Sequence, residues 1–116
     1  MIARLWSAQT TPAKAPFYAD HLTNRVLPAV RKVAGYAGTM LLERETLDSA
    51  EIIVLTLWQS LDAIRGFAGA DMEAAVIDEE AVSLLTHFDR RVRHYELIVQ
   101  DDALHPAESR AQPSRE

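Results

Sequence analysis

Apolar and β-branched residues run unbroken from Ile52 to Trp58, the densest β-forming stretch of the chain. Such a run suits a pleated strand better than a helix. Alternation puts Ile52, Val54, Thr56 and Trp58 on one face and Ile53, Leu55 and Leu57 on the other. Both faces are mostly apolar, which predicts a central strand covered on both sides. Ser60 follows as the N-cap of a helix over Leu61–Ala68, because its hydroxyl can accept a first-turn N–H that the helix leaves unpaired. The strand therefore delivers Trp58 to a sheet–helix junction, where a large ring serves as core or as a pocket wall.

The same reading extends along the chain. Ile2 to Ala8 forms a first strand, with Ile2, Arg4 and Trp6 on one face and Ala3, Leu5 and Ser7 on the other. Arg4 beside Trp6 permits a cation–π contact, an arginine lining an anion pocket, or an exposed edge residue. Thr10-Thr11-Pro12 starts a helix capped by Thr11. Its apolar stripe is Ala15, Ala19, Leu22, Val26, Val30 and Val33, with Tyr18 at the border. Phe17 and His21 lie off that stripe, either as surface residues or as a cover for something beside the sheet. Pro28 inside the helical pattern predicts a kink or break near residues 24–27, and Ala34-Gly35 ends the helix.

Tyr36 to Glu45 reads as a second strand, bulged near Gly38, joined to the apolar strand as an antiparallel hairpin. After the second helix, Asp71 is placed to cap a short helical piece through Val76 and Ile77. Asp78-Glu79-Glu80 heads another piece over Ala81–Leu85; carboxylates there suit the helix dipole and read as a solvated face rather than a metal site. Asp89 to Gln100 forms the last strand, with His94 and Glu96 on one face at the spacing of a histidine–carboxylate relay. Residues 1–100 make one domain, and 101–116 read as a polar C-terminal tail without periodicity.

Composition removes several function classes. The chain has 116 residues and no cysteine, so disulfides, thiolate-held metals and a thiol nucleophile are absent. A net charge of −5 without a basic run argues against nucleic acid. No stretch approaches the ~20 apolar residues of a membrane span, and the start lacks a signal-peptide pattern, so a cytoplasmic protein is expected.

Strand, helix, strand, strand, helix, small helical pieces, strand is the order of an α+β, ferredoxin-like split βαβ fold with a four-stranded antiparallel sheet. Helices cover one sheet face. The other face is also apolar, and a chain this short has no second layer for it, so a homodimer is expected.

The stretches Met1-Ile2-Ala3-Arg4-Leu5-Trp6, Leu27-Pro28 with Gly35, Leu55 through Gly69, and Val92-Arg93-His94-Tyr95-Glu96 resemble the dimeric α+β barrel superfamily, in particular its antibiotic-biosynthesis-monooxygenase-like domains. The strand–Trp58–Ser60–helix stretch is the most specific part. The resemblance implies two ferredoxin-like monomers forming a dimeric α+β barrel. It also implies a family that includes cofactor-free monooxygenases of quinol- or anthrone-like molecules, haem-degrading enzymes, isomerases and decarboxylases. Haem-degrading members have an asparagine late in the first strand, a tryptophan in the helix after the hairpin, and a histidine ligand beyond it. Those places fall here at Trp6 or Ser7, Phe67, and Val76 or Ile77, so haem degradation is not expected.

Two readings stand. One is a cofactor-independent monooxygenase of a small aromatic or enolisable molecule, needing no metal and no cofactor. Its catalytic candidates are His94 and Arg4, and its substrate-binding candidates are Trp6, Tyr18, His21, Trp58 and Phe67. Apolar walls would exclude water while Arg4, His94 or His21 handled the ionisable proton. The other is a homodimer of the same fold that binds a small molecule or serves as a scaffold without turnover.

Overall fold

The structure is a computed structural model that describes residues 1–101 and 103. The tail expected over 101–116 lies, apart from residues 101 and 103, outside the described residues. In chain order the elements are β1 (Ile2–Thr10), α1 (Ala15–His21), a π-helical segment (Leu22–Val26), α2 (Leu27–Val30), β2 (Tyr36–Glu45), β3 (Ala50–Trp58), α3 (Leu61–Ala68), α4 (Glu79–Ser83), β4 (His87–Phe88) and β5 (Arg93–Glu96). The sheet is antiparallel throughout, in the order β2-β3-β1-β4, with β5 also on β1. This is the α+β, ferredoxin-like arrangement that the order of elements predicted.

Pairing of β1 with β3 sets the frame. Ile2 faces Trp58, Arg4 faces Thr56, and Trp6 faces Val54. Directly opposed residues share a sheet face, so the two alternations read from sequence coincide on the helix-covered side. The expected last strand is instead two short pieces, β4 and β5, on the same edge of β1. Their register against β1 differs by two residues, because residues 89–92 leave the ladder. There Ala74 bridges Arg91, Val92 donates to the Glu73 carbonyl at 2.8 Å, and Ala75 donates to the Arg90 carbonyl at 2.9 Å. The segment after α3 is thus stitched to the break. No helix forms at Asp71, which pairs with Arg91 at 2.6 Å instead. An alternation pattern cannot reveal such a detour, since it assumes an uninterrupted pleat.

The first helix is likewise interrupted. Pro28 lacks an N–H, and its ring crowds the carbonyl four residues back. The chain responds with the π-helical turn Leu22–Val26, closed by the Leu27 N–H on the Leu22 carbonyl. α1 itself begins at Ala15, about one turn later than Pro12 suggests, with Thr11 accepting from the Lys14 and Ala15 amides. Ser60 caps α3 as expected, accepting the Ala63 N–H at 3.1 Å.

Two apolar clusters form under the helices. One gathers Tyr18, Leu22, Ile52, Val54 and Ala81. The other gathers Val30, Trp58 and Ile64, with Phe67 and Val33 against it. On the helix-free face, Leu5, Leu55 and Met40 lie side by side across three strands, and Ile53 sits beside Leu42. Met40, Leu42 and Tyr95 are each about half exposed there.

Gly35 links the helical layer to α3. It has φ +87°, and a Cβ on it would lie 2.4 Å from the Ala63 Cβ. Gly66, inside α3, has open space around it. Gly35→Ala should therefore cost about 2–4 kcal/mol from backbone strain plus overpacking. Gly66→Ala should stabilise by up to about 1 kcal/mol through helix propensity. Urea unfolding of both variants beside the parent checks the opposite signs.

Candidate functional site

A cavity of about 410 Å³ lies between the helical layer and the sheet. Its floor is Arg4, Trp6, Val54 and Thr56; its roof includes Tyr18, Leu22, Val26 and Val30; Phe67, Ile77 and Val92 close the sides. It draws wall residues from both apolar clusters, and Leu27, also in the wall, packs against each. The π-helical turn contributes Leu22, Arg25 and Val26, so the Pro28-induced irregularity shapes the roof directly.

Arg4 is the most constrained polar group in the wall. It is 5% exposed. Its guanidinium donates to the Met72 carbonyl at 2.5 Å and to the Ala74 carbonyl at 2.7 Å, and meets His94 Nε2 at 2.9 Å. It also sits over the Phe67 ring, 5.5 Å from the centroid. The other N–H groups of the fork have no partner among the described residues, and no described carboxylate pairs with this arginine. Burial lowers its pKa from the ordinary value, yet an arginine stays protonated in proteins. A positive charge thus lies in a largely apolar wall, held by neutral acceptors alone.

His94 stands opposite Arg4 on β5 and faces the same way. A guanidinium can only donate, so His94 Nε2 accepts and Nδ1 carries the proton. Burial, and then the Arg4 charge, lower the His94 pKa below 6.5, with Glu73 opposing them. The ring is therefore neutral at pH 7. It does not line the cavity; it holds Arg4. No hydrogen bond joins it to Glu96, so the relay geometry is not used among the described residues.

Of the remaining expected site residues, Trp6, Tyr18 and Phe67 line the cavity together with Arg4. Trp6 spends its indole N–H on the Asp89 carbonyl at 2.7 Å, and its ring lies 6.3 Å from Tyr18. Burial, and then the Asp78 charge, push the Tyr18 phenol upward, so it remains a protonated donor. Trp58 is not a wall residue. It is fully buried, packed on Phe67 at 5.0 Å and edge-on to Tyr36 at 5.5 Å, and its N–H goes to the Thr56 hydroxyl at 2.9 Å. The reason is register: at the end of β3 it falls under Ile64 and Val30 rather than under the roof gap.

His21 is not a surface residue and does not line this cavity; it edges a smaller pocket with Phe17, Arg25 and Glu80. It is buried, with Nε2 donating to both Asp78 oxygens at 3.0 Å and Nδ1 3.4 Å from a Glu80 oxygen. Phe17, one turn earlier, is exposed. The acidic run read as a solvated face therefore clasps α1 through this histidine. Asp78 also caps α4, accepting the Ala81 N–H at 2.8 Å, and it lines the cavity as well. Sequence spacing offered no sign of a contact between residues 57 positions apart.

With the cavity described, comparisons with known proteins become informative. No family model matches the chain, and no curated protein matches it. Solved structures do. A candidate antibiotic biosynthesis monooxygenase from Bacillus cereus superposes with a TM-score of 0.58 at 15% identity, over 88% of this chain and 97% of that one. The monooxygenase from the gene ActVA-Orf6 of Streptomyces coelicolor, in complex with the ligand nanaomycin D, gives 0.56 at 20% identity, over 86% and 92%. This chain has the antibiotic-biosynthesis-monooxygenase fold. The heme-degrader MhuD from Mycobacterium tuberculosis, with two hemes in its active site, shares it with a TM-score of 0.60 at 20% identity, over 87% and 99%. Identities this low establish the fold and leave chemistry to the residues of the cavity.

Haem does not suit those residues. Protein ligands to haem iron are histidine, cysteine, methionine or a tyrosinate. Among the described residues the walls hold no histidine and no methionine, and Tyr18 is held protonated. Phe67, Val76 and Ile77 are apolar residues of the cavity lining.

The histidine assignments carry a direct check. His94 should titrate below 6.5, and Arg4→Met should move it upward by removing the charge beside it. As pH falls through 6.5, the unfolded chain takes up a proton that folded His94 resists, so this residue makes stability fall with pH. The loss ends below the folded pKa. Histidine ring NMR across pH 4.5–8 reads both the value and the tautomer.

Proposed function

We propose that the chain is a cofactor-independent monooxygenase acting on a small aromatic or enolisable molecule of the quinol or anthrone kind. The observation that carries this reading is Arg4: a buried cation with no carboxylate partner among the described residues, set in an apolar cavity of about 410 Å³. Burying an unpaired charge is costly. A ligand that becomes an enolate or phenolate supplies the missing anion. Trp6, Tyr18 and Phe67 form flat walls suited to aromatic rings, and Tyr18 adds a hydroxyl donor. Arg4 stabilises the developing oxyanion in a site with little water, where such a charge counts most. His94 keeps the guanidinium in place. Removing the substrate's proton leaves an electron-rich carbanion or enolate that reacts with oxygen directly. The fold shared with one monooxygenase and one candidate monooxygenase supports the reading.

With unsubstituted anthrone as probe, the purified chelator-treated protein should consume oxygen above the uncatalysed rate. Arg4→Met should lower kcat/KM by about 100-fold, the scale of losing one oxyanion donor. Tight anthrone binding without oxygen uptake would favour the non-catalytic binding reading instead.

We also propose that the helix-free sheet face closes against a second copy. Leu5, Met40, Leu42, Ile53 and Leu55 make a continuous apolar surface there, larger than scattered exposed residues create. Sedimentation equilibrium should report a dimer at micromolar concentration, and Leu55→Lys should yield a folded monomer. A monomeric parent protein would overturn the pairing.

A further inference from the structure

We infer that Asp78 is the proton acceptor of the cavity and that His21 is its positioning residue; this rests on the oxygenase reading above only for the choice of substrate. Among the described residues lining the cavity, Asp78 is the one carboxylate. The histidine expected to act there, His94, is turned to Arg4 instead. A reaction that begins by removing a proton needs a base within reach of the ligand, and the wall offers this one.

Its setting is built rather than incidental. The carboxylate is fixed from two sides: Ala81 N–H meets Oδ1 at 2.8 Å, and His21 Nε2 meets both oxygens at 3.0 Å. His21 is itself buried, its side chain only 2% exposed, and its Nδ1 has no hydrogen-bond partner, the nearest Glu80 oxygen being 3.4 Å away. The imidazole therefore stands between two half-exposed carboxylates, of which Asp78 also lines the cavity. A packed ring behind a carboxylate locks its rotamer, as a catalytic group requires. Arg4 and Asp78 form no ion pair. Arg4 rises from β1 and rests on Phe67, whereas Asp78 stands at the head of α4, so cation and base come from different elements.

The chemistry follows from that separation. In anthrone, the methylene opposite the carbonyl is the acidic carbon. Its C–H bond breaks, the proton passes to an Asp78 oxygen, and the electron pair moves through the ring to the carbonyl oxygen. That oxygen becomes an anion held by Arg4. The step is a proton transfer and needs no oxidant, so it proceeds without oxygen.

Anaerobic exchange in heavy water isolates it. Wild-type protein with unsubstituted anthrone should speed deuterium entry at that methylene above the buffer rate, read by NMR. Asp78→Asn keeps the α4 cap and an acceptor for His21 but is not a base. It should lower the exchange rate by about 100-fold or more while the dissociation constant for anthrone, measured anaerobically by fluorescence, stays within about twofold. His21→Gln, which retains a donor, should keep more exchange than His21→Leu at unchanged anthrone affinity, and thermal melts confirm that each variant is folded. Unchanged exchange in Asp78→Asn, or no exchange by the wild type, would overturn the assignment. Oxygen uptake that persisted in either case would leave the oxygenase reading standing. Exchange that depends on Asp78 without oxygen uptake would do the reverse, keeping the base and removing the oxygenase.

Discussion

The arrangement depends on how one guanidinium is buried. Arg4 lies in the central part of β1 under a helical layer, where an unpaired charge costs several kcal/mol unless its donors are met. Neutral acceptors meet them: the Met72 and Ala74 carbonyls and His94 Nε2. Each acceptor requires a distortion elsewhere. The two carbonyls are available because residues 72–75 run across the sheet edge, pinned there by the break between β4 and β5. The imidazole acceptor is available because β5 rejoins β1 with a register that sets His94 opposite Arg4. A continuous last strand would occupy the edge and leave no route for residues 72–75. Strand interruption, loop path and the charge in the cavity are therefore one structural solution.

That solution explains what could be read in advance. Face assignments on β1 and β3 follow from strict alternation, so Arg4 with Trp6, and Val54 with Thr56, could be put on shared faces from sequence; which face the helices cover is set by the three-dimensional packing. The Ser60 cap, the Gly35 stop and the disturbance before Pro28 were legible too, since each rests on a local backbone requirement. The acidic run was legible in its exposure and its place at a helix start, and not in its partner. Asp78 and Glu80 do sit at a helix start, as their dipole preference suggests, but their contact with His21 comes from packing α4 against α1. No local rule encodes that contact, and a histidine off the apolar stripe looks exposed until a second element covers it. Trp58 failed for a related reason. Pattern gives the face of a side chain, not its depth along the strand, and two positions toward the middle of β3 separate the cavity floor from solid core.

Cavity and core also compete for the same helical face. Tyr18, Leu22 and Val30 are core residues by burial and wall residues by position. A regular α-helix through Leu27 would carry its stripe evenly over the sheet and close the gap. The π-helical turn inserts an additional residue, shifts the stripe, and leaves the space over Thr56 and Val54 unfilled. Pro28 makes that turn favourable by removing the N–H a regular helix would need there. An irregular backbone at this point thus keeps the cavity open at modest cost in helix stability.

Fold alone does not select a chemistry, because structures described as monooxygenase and as heme-degrader superpose on this chain about equally well. Selection falls to the polarity of the walls. An iron porphyrin calls for a ligating side chain such as histidine, and the described residues lining the cavity include no histidine. An ionisable aromatic calls for a fixed positive charge, a protonated hydroxyl and flat apolar surfaces, which Arg4, Tyr18, Trp6 and Phe67 supply. The protonation states reinforce one another. Burial and then the Asp78 charge keep the Tyr18 phenol protonated, and burial and then the Arg4 charge lower the His94 pKa. Arg4 therefore presents a cation and Tyr18 a donor to a ligand oxygen, while Arg25 and Asp78 also line the cavity; an anionic ligand oxygen beside Arg4 gains from that charge where a neutral one does not. This difference is the physical basis on which such a site would prefer the deprotonated form of its ligand.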